Sequence, residues 1–284
     1  MIQTMPTWDR KTPTTTRSPD PSIWIHGKHG PFCLPRLDRF QTPSMLLYGE
    51  YCEGEVLLLE GLLHEHSVVV EGGACLGLHT IPLARRCREG FVQAFEPQEC
   101  LRRLLHRTLE AQAISNVYLS GDALGDKEAV VSIDPLNLTQ VNNAGGSHIQ
   151  WAAWGVQQRT IDSLELKRCD LIKLDCEGSE PGILRGAGRT LRFCRPFVYL
   201  EADQPTAPEA LEYLVQLGYR LYWHIVPFFN PMNWMGVTHD AWPGLCAINA
   251  LAVPLERVSP LGEEYRILRH DEDWHDARVW SYSP

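Results

Sequence analysis

The sequence predicts an α/β protein built on a seven-stranded, mostly parallel sheet with helices on both faces. An antiparallel hairpin closes the sheet and an N-terminal extension precedes it. Three observations lead there. Val68-Val69-Val70 reads as a buried parallel strand that runs through Glu71 into Gly72-Gly73-Ala74 and then into a helix pattern. Short apolar strands alternate with helical patterns from there to Gly218, which implies parallel pairing through right-handed crossovers. The last two strands are separated only by an aromatic insert, so they pair antiparallel.

Taken in order, residues 1 to about 21 are rich in Thr, Pro and Ser and are expected to be disordered or loosely attached. Ile23 to Phe32 suits a short hairpin lying against the domain. Tyr48 to His64 reads as one helix packed through Val56, Leu57, Leu59, Leu62 and Leu63. The glycine stretch follows, and a helix runs from about Leu78 to Arg88. Phe91 to Glu96 is the second strand, stopped by Pro97, with a helix over Gln98 to Ala111. Asn116 to Ser120 is the third strand, and Glu128 to Ile133 a further one. Asn137 to Gly146 is a polar loop of the length that often serves as a lid, with Trp151 and Trp154 after it. Asp170 to Asp175 and Phe197 to Glu201 are the fourth and fifth sheet strands, and a helix over Pro208 to Gly218 follows. Tyr219 to Val226 and Leu245 to Val253 are the closing pair. This sets an extension at 1–47, a main domain at 48–254, and a charged, aromatic tail at 255–284 packed on that domain.

The net charge of −9 argues against nucleic acid or an anionic membrane surface as partner. Arg102, Arg103, His106 and Arg107 read as the solvated face of a helix. No apolar run reaches membrane-span length and no signal-peptide pattern opens the chain. Nine cysteines, scattered singly, suit reduced thiols in a cytoplasmic protein. His64 and His66 read as helix-end capping residues, and the His270 to Asp276 run as a solvated, charge-dense segment.

Strand tips carry the chemistry. Small residues after Val70 let a ligand approach the backbone, and Glu71 adds a negative charge. There is no Gly-Lys-Ser/Thr phosphate loop, and adjacent glycines before an acid fit the dinucleotide fingerprint poorly. Glu96, at the next strand tip, is placed to accept two hydrogen bonds from a ribose diol. Asp122 is either an acceptor for an adenine amino group or a turn residue.

These residues resemble the FkbM-type S-adenosylmethionine-dependent methyltransferases, within the class I (Rossmann-like) methyltransferase fold. Glu71-Gly72-Gly73-Ala74-Cys75-Leu76-Gly77 through Thr80 and Phe95-Glu96-Pro97 carry the likeness. So do Asp170 through Glu180, Leu184-Arg185-Gly186-Ala187, the strand between Pro196 and Glu201, and Phe229-Asn230-Pro231 through Asn233. The resemblance spans roughly Tyr48 to Pro254. Glu71 stands where the family usually has Asp, adding a methylene, and Cys75 where it usually has Asn, removing an amide contact.

The resemblance implies S-adenosylmethionine as methyl donor. Glu71, Gly73, Ala74 and Gly77 would line its methionine part, Glu96 its ribose and Asp122 its adenine, with Thr80 a further donor-binding residue. Asp175, Glu177 and Glu180 would border the transferable methyl. It also implies O-methylation of a glycan, sugar or small natural product; an alcohol acceptor needs a base, and Asp175, Glu177, Glu201 and His224 are the candidates. His224 also reads as a satisfied strand histidine. The carboxylates alternatively form a divalent metal site, a reading the sequence does not favour. Phe228, Phe229, Trp234 and Met235 would stack on the acceptor, with Asn230 and Asn233 as its polar partners. N-methylation, an inactive donor-binding subunit and an NAD-binding dehydrogenase are the rival readings. The sequence leaves the oligomeric state, a homodimer included, open.

Overall fold

A computed structural model describes residues 20–146 and 155–258. Two strands, β1 (Ser22–Gly27) and β2 (Gly30–Pro35), form the expected antiparallel hairpin. The helices α1 (Gln41–Tyr48) and α2 (Glu53–Leu62) follow. Then come β3 (Val68–Gly72), α3 (Thr80–Arg86), β4 (Phe91–Phe95), α4 (Glu99–Ala111) and β5 (Val117–Ser120). Three short strands, β6 (Ala123–Leu124), β7 (Ala129–Ser132) and β8 (Gly155–Arg159), make a separate small sheet. The chain continues through β9 (Leu171–Leu174), α5 (Glu180–Arg185), α6 (Gly188–Phe193), β10 (Phe197–Glu201), α7 (Ala207–Gln216), β11 (Tyr219–Pro227) and β12 (Cys246–Pro254).

The main sheet has the order β11-β12-β10-β9-β3-β4-β5. The five strands from β10 to β5 are parallel, and β12 runs antiparallel to both β10 and β11. This is the sheet read from the sequence. Successive side chains of a strand point to opposite faces, and the cores divide that way. Val69, Leu171, Tyr199 and Leu251 enter one core with Leu59, Ile81 and Leu105 of α2, α3 and α4. Val70, Ile172, Leu200 and Ala252 enter the other with Ile183, Leu191 and Leu214 of α5, α6 and α7. A strand buried on both faces must be apolar throughout, which accounts for the Val68-Val69-Val70 run.

Two elements differ from the sequence reading. The helix over Tyr48 to His64 breaks at Gly49 to Cys52, because Gly49 (φ 71°) and Cys52 (φ 47°) both take left-handed backbone. A Cβ on Gly49 would strike the Trp234 ring, so the break makes room for the aromatic insert. The strand β8 was not read from the sequence, and it pairs with the expected strand near Val130 outside the main sheet. The Ser22–Pro35 hairpin is integral to the first core: Phe32, Cys33 and Leu34 are fully buried, and Cys33 N donates to Thr108 Oγ1 of α4 at 3.0 Å. Each large apolar side chain buried this way contributes about 1.5–3 kcal/mol. Among the described residues no helix is long and apolar enough to cross a membrane. The tail beyond Val258, with the His270 to Asp276 run, lies outside the described residues, as do residues 1–19, Trp151 and Trp154.

Connections run outward from β3 through β4 to β5, then return to β9 and run outward to β10. The reversal falls between β3 and β9. A parallel sheet opens a crevice at such a switch point, above the carboxyl ends of its strands.

Candidate active site

Two adjoining clefts occupy that crevice. The first has Phe95, Leu101, Leu124 and Ile133 as apolar walls and Glu96 and Asp122 as acids. Backbone geometry sets its shape. Gly73 (φ 77°) follows β3, and Gly73 N and Ala74 N both donate to Phe95 O, at 3.1 and 2.9 Å. A Cβ at Gly73 would overlap the Asp175 carbonyl, so only glycine lets the tips of β3 and β9 close together. Cys75, itself left-handed (φ 47°), aims its N–H at Glu96 Oε2 (2.9 Å), and Gln98 N–H meets Oε1 (2.7 Å). Glu96 is thus buried with its carboxyl fixed. Burial pushes its pKa up to about 7 despite those two donors. Asp122 stays half-buried, with Arg159 at 3.6 Å.

Of the residues read from the sequence as donor contacts, Gly73, Glu96 and Asp122 line this cleft and Ala74 lines the second. Glu71, Gly77 and Thr80 stand behind the wall. Glu71 is fully buried; its Oε2 accepts from Thr80 Oγ1 at 2.7 Å, and its Oε1 has no hydrogen-bond partner among the described residues. Gly77 (φ 79°) sits against Leu105, where a Cβ would collide.

The second cleft shares Gln41, Gly73, Cys75, Gly145, Asp175 and Glu177 with the first. Its lining is charged. Lys173 Nζ is buried 3.5 Å from Asp175 Oδ2. Burial works against its ammonium form, yet Asp175, Glu71 and Glu55 together raise its pKa. Asp175, Glu177 and Glu201 bring carboxylate oxygens within 4.8 Å of one another. Gln204 Nε2 donates to Glu177 Oε2 at 3.1 Å. Burial first, then the charges of Asp175, Glu177 and Asp203, push the Glu201 carboxyl up to about 9, so it holds a proton near neutral pH. Three of the four candidate bases therefore converge on one wall.

His224 is not part of that wall. Its Nδ1 lies 2.8 Å from Tyr199 Oη, and burial lowers its pKa. The structure instead places His79 and Glu55 in the second cleft, a pair the sequence reading passed over. His79 Nε2 lies 3.3 Å from Glu55 Oε2, off the line of a good hydrogen bond, and Asn249 Nδ2 donates to Glu55 Oε1 at 3.2 Å. Burial pushes Glu55 up, but His79 and Lys173 outweigh it and hold the carboxyl below its ordinary value. The available signal was an acid, Glu55, on the apolar face of α2 beside Leu58 and Leu59.

The aromatic insert meets the cleft only through Phe228. Phe229, Asn230, Asn233 and Trp234 line neither cleft, because they fasten the insert to the α1–α2 junction. Asn230 Nδ2 and Trp234 N donate to the Glu50 carboxylate at 2.7 and 2.9 Å, and Asn233 bonds both N–H and C=O of Val237. Phe229 packs on Tyr48, and Trp234 on Gly49 and His26. The amides do have partners, and those partners belong to the fold. On the far surface Glu65, His66 and Glu89 cluster with Arg88 bound to Glu65, and His64 Nδ1 accepts from His66 N at 3.2 Å.

The family described as Methyltransferase FkbM domain matches residues 71–221. "Methyltransferase 1" of Beauveria bassiana is 27% identical over 146 residues, which cover 43% of this chain and 59% of that protein. The chain thus spans less than two thirds of the length of this relative. A crystal structure of Methyltransferase FkbM from Methylobacillus flagellatus superposes with a TM-score of 0.48 and 18% identity, covering 76% of this chain and 48% of that one. TYW2 of M. jannaschii in complex with AdoMet superposes with a TM-score of 0.44 and 13% identity, covering 83% and 86%.

Proposed function

The chain belongs to the FkbM methyltransferase family, with the class I methyltransferase fold, and from that premise we propose that it transfers a methyl group from S-adenosylmethionine to a hydroxyl of a sugar, glycan or other small molecule. One observation carries this reading: an apolar cleft with a fixed acid at its strand tip opens through Gly73 and Cys75 into a second cleft lined by carboxylates and a Glu-paired histidine.

The residues fit the donor. At the Gly73 turn a Cβ would overlap the Asp175 carbonyl, so glycine brings the β3 and β9 tips together as the floor on which the donor would lie. Glu96 has both oxygens oriented by backbone N–H groups and keeps lone pairs for two ribose hydroxyls. Asp122 faces the same cleft as an acceptor for the adenine amino group, between the apolar walls that would hold the ring. Glu71, Gly77 and Thr80 set the turn from behind. When bound, the donor's sulfonium supplies an electrophilic methyl carbon.

The protein's own tasks are position and proton. Asp175 and Glu177, at the junction, hold the acceptor hydroxyl in line with the donor. Such placement can supply roughly 7–11 kcal/mol of a bimolecular barrier. His79 takes the hydroxyl proton on Nδ1, the nitrogen turned away from Glu55, as the new C–O bond forms and the S–C bond breaks. Glu55 steadies the resulting imidazolium. Glu201, protonated near neutral pH, donates a hydrogen bond to the acceptor and does not compete for the proton. S-adenosylhomocysteine and the methyl ether leave.

A second reading, N-methylation, is favoured by the acidic lining alone: five carboxyl groups, from Glu55, Asp175, Glu177, Glu201 and Asp203, suit an amine. A methyl-donor screen over paired hydroxyl and amine compounds, read by a mass gain of one methylene, separates the two. Calorimetry with S-adenosylmethionine tests the premise: absence of binding sinks both enzyme readings.

A further inference from the structure

We propose that Gln41, on the N-terminal helix α1 and outside the family-matched residues, binds the amino-acid end of the methyl donor. The assignment rests on the donor reading above and goes beyond it.

Gln41 is buried to 9% exposure and lines both clefts at their junction. A carboxamide offers two N–H donors and two acceptor lone pairs. Here its hydrogen-bond partner among the described residues is the Cys75 thiol, 3.5 Å from Nε2 and 3.8 Å from Oε1. A thiol is weak as donor and as acceptor. Buried amides normally find strong partners, and leaving one unmatched is destabilising. Gln41 therefore carries unused hydrogen-bonding capacity aimed into the crevice.

The structure takes trouble to hold it there. Asp38, itself buried, accepts from Phe40 N and Thr42 N through Oδ2 (3.2 and 2.8 Å) and from Ala144 N through Oδ1 (3.0 Å). Arg39 N donates to Asn142 O and Asn142 N to Leu37 O, at 3.0 and 3.1 Å. The start of α1 is thereby stitched to the loop ending at Gly146, and Gln41 lies between Gly145 and Cys75.

Position selects the part of the donor. Asp122 and Leu124 border only the first cleft, whereas Gln41 sits where the two clefts meet. The half of the donor that carries the methyl has to occupy that junction to face the acceptor. Its α-amino acid end has one carboxylate acceptor and one ammonium donor. A primary carboxamide presents the matching donor and acceptor.

The test is calorimetry on the full chain with S-adenosylhomocysteine and with 5′-methylthioadenosine, which keeps adenosine and thioether but lacks the amino acid. Gln41→Met preserves bulk without the amide and should weaken S-adenosylhomocysteine about tenfold or more while leaving methylthioadenosine within a factor of about two. Gln41→Glu keeps an acceptor for the ammonium but loses the donor to the carboxylate, so it too should bind S-adenosylhomocysteine more weakly than the wild type. Equal losses for both nucleosides in Gln41→Met would mean that Gln41 only shapes the wall; unchanged S-adenosylhomocysteine binding in Gln41→Met also overturns the assignment. If methylthioadenosine binds below detection, adenosine replaces it as the probe that lacks the amino acid. Failure of the wild type to bind S-adenosylhomocysteine would instead defeat the donor reading itself.

Discussion

The two clefts meet at Gly73 and Cys75, yet they are made by different means. The first cleft is a product of backbone: a left-handed glycine, two N–H groups on the Phe95 carbonyl and two more on the Glu96 carboxyl. The second cleft is a product of side chains from distant parts of the chain, with Glu55 from α2, His79 before α3, Lys173 and Asp175 from the β9 tip and Asn249 from β12. A backbone site tolerates little variation, because moving one strand tip spoils it. A side-chain site can be rewritten one residue at a time while the sheet beneath stays the same. This is how one fold serves many acceptors.

That contrast predicts a separation of effects. His79→Gln keeps the size of the side chain and removes its basic nitrogen. If His79 is the base, turnover falls roughly 10²- to 10⁴-fold with an alcohol acceptor, while calorimetry shows S-adenosylmethionine binding unchanged. Full turnover in this variant would return the base role to Asp175 or Glu177. Glu96→Gln should do the reverse. Exchanging one charged acceptor for an amide in a buried pair of hydrogen bonds should weaken donor binding by roughly ten- to a hundredfold. A change in acceptor affinity alone would break the division of labour between the clefts.

The same contrast explains what could be read from sequence. The sheet, its hairpin and the glycine turn were legible because each follows from a local pattern: Val68-Val69-Val70 for burial on two faces, Gly73 for the close approach of β9, Pro97 for a strand stop. Asp175, Glu177 and Glu201 were legible as acids ending parallel strands. Glu55 and His79 were not, since their pairing depends on how α2 crosses the start of α3. Gln41 was hidden for the same reason, as its place over the crevice depends on the long-range contacts of Asp38 and its neighbours with residues 142–144. The insert misled in the opposite direction: amides among aromatics suggested a ligand, but Asn230 and Asn233 satisfy Glu50 and their own turn.

A smaller effect concerns Glu201. Its carboxyl is raised to about 9 in the folded protein, well above the ordinary value of 4.5. Between those values the folded state keeps a proton that the unfolded chain has lost. Stability from this group is therefore full below pH 4.5 and declines as pH rises toward 9. Glu201→Gln removes that decline. Recovering even about 1–2 kcal/mol should lift Tm by roughly 2–8 °C at pH 9, with wild type and variant converging near pH 4.5. A variant less stable than wild type at pH 9 would show that Glu201 is held ionised by its neighbours, and the second cleft would lose its proposed neutral donor.

A shift in Tm of similar size, without loss of turnover, sharpens the comparison by supplying a region that belongs to neither cleft. Asn230→Ala removes the amide that caps Glu50 Oε1, leaving Trp234 N on Oε2. Burial already raises the Glu50 pKa, and loss of the Asn230 donor adds to that strain. The cost should be about 1–2 kcal/mol, seen as a Tm lower by roughly 2–8 °C. The loss should be largest at high pH, where an uncapped Glu50 has to bear its charge. Donor affinity and turnover should hold, because the insert reaches the second cleft only through Phe228. If Asn230→Ala instead leaves Tm unchanged and raises the KM for the acceptor, the insert is a binding element after all. The second cleft would then extend past Phe228 onto the face that Asn230 and Trp234 share with α1.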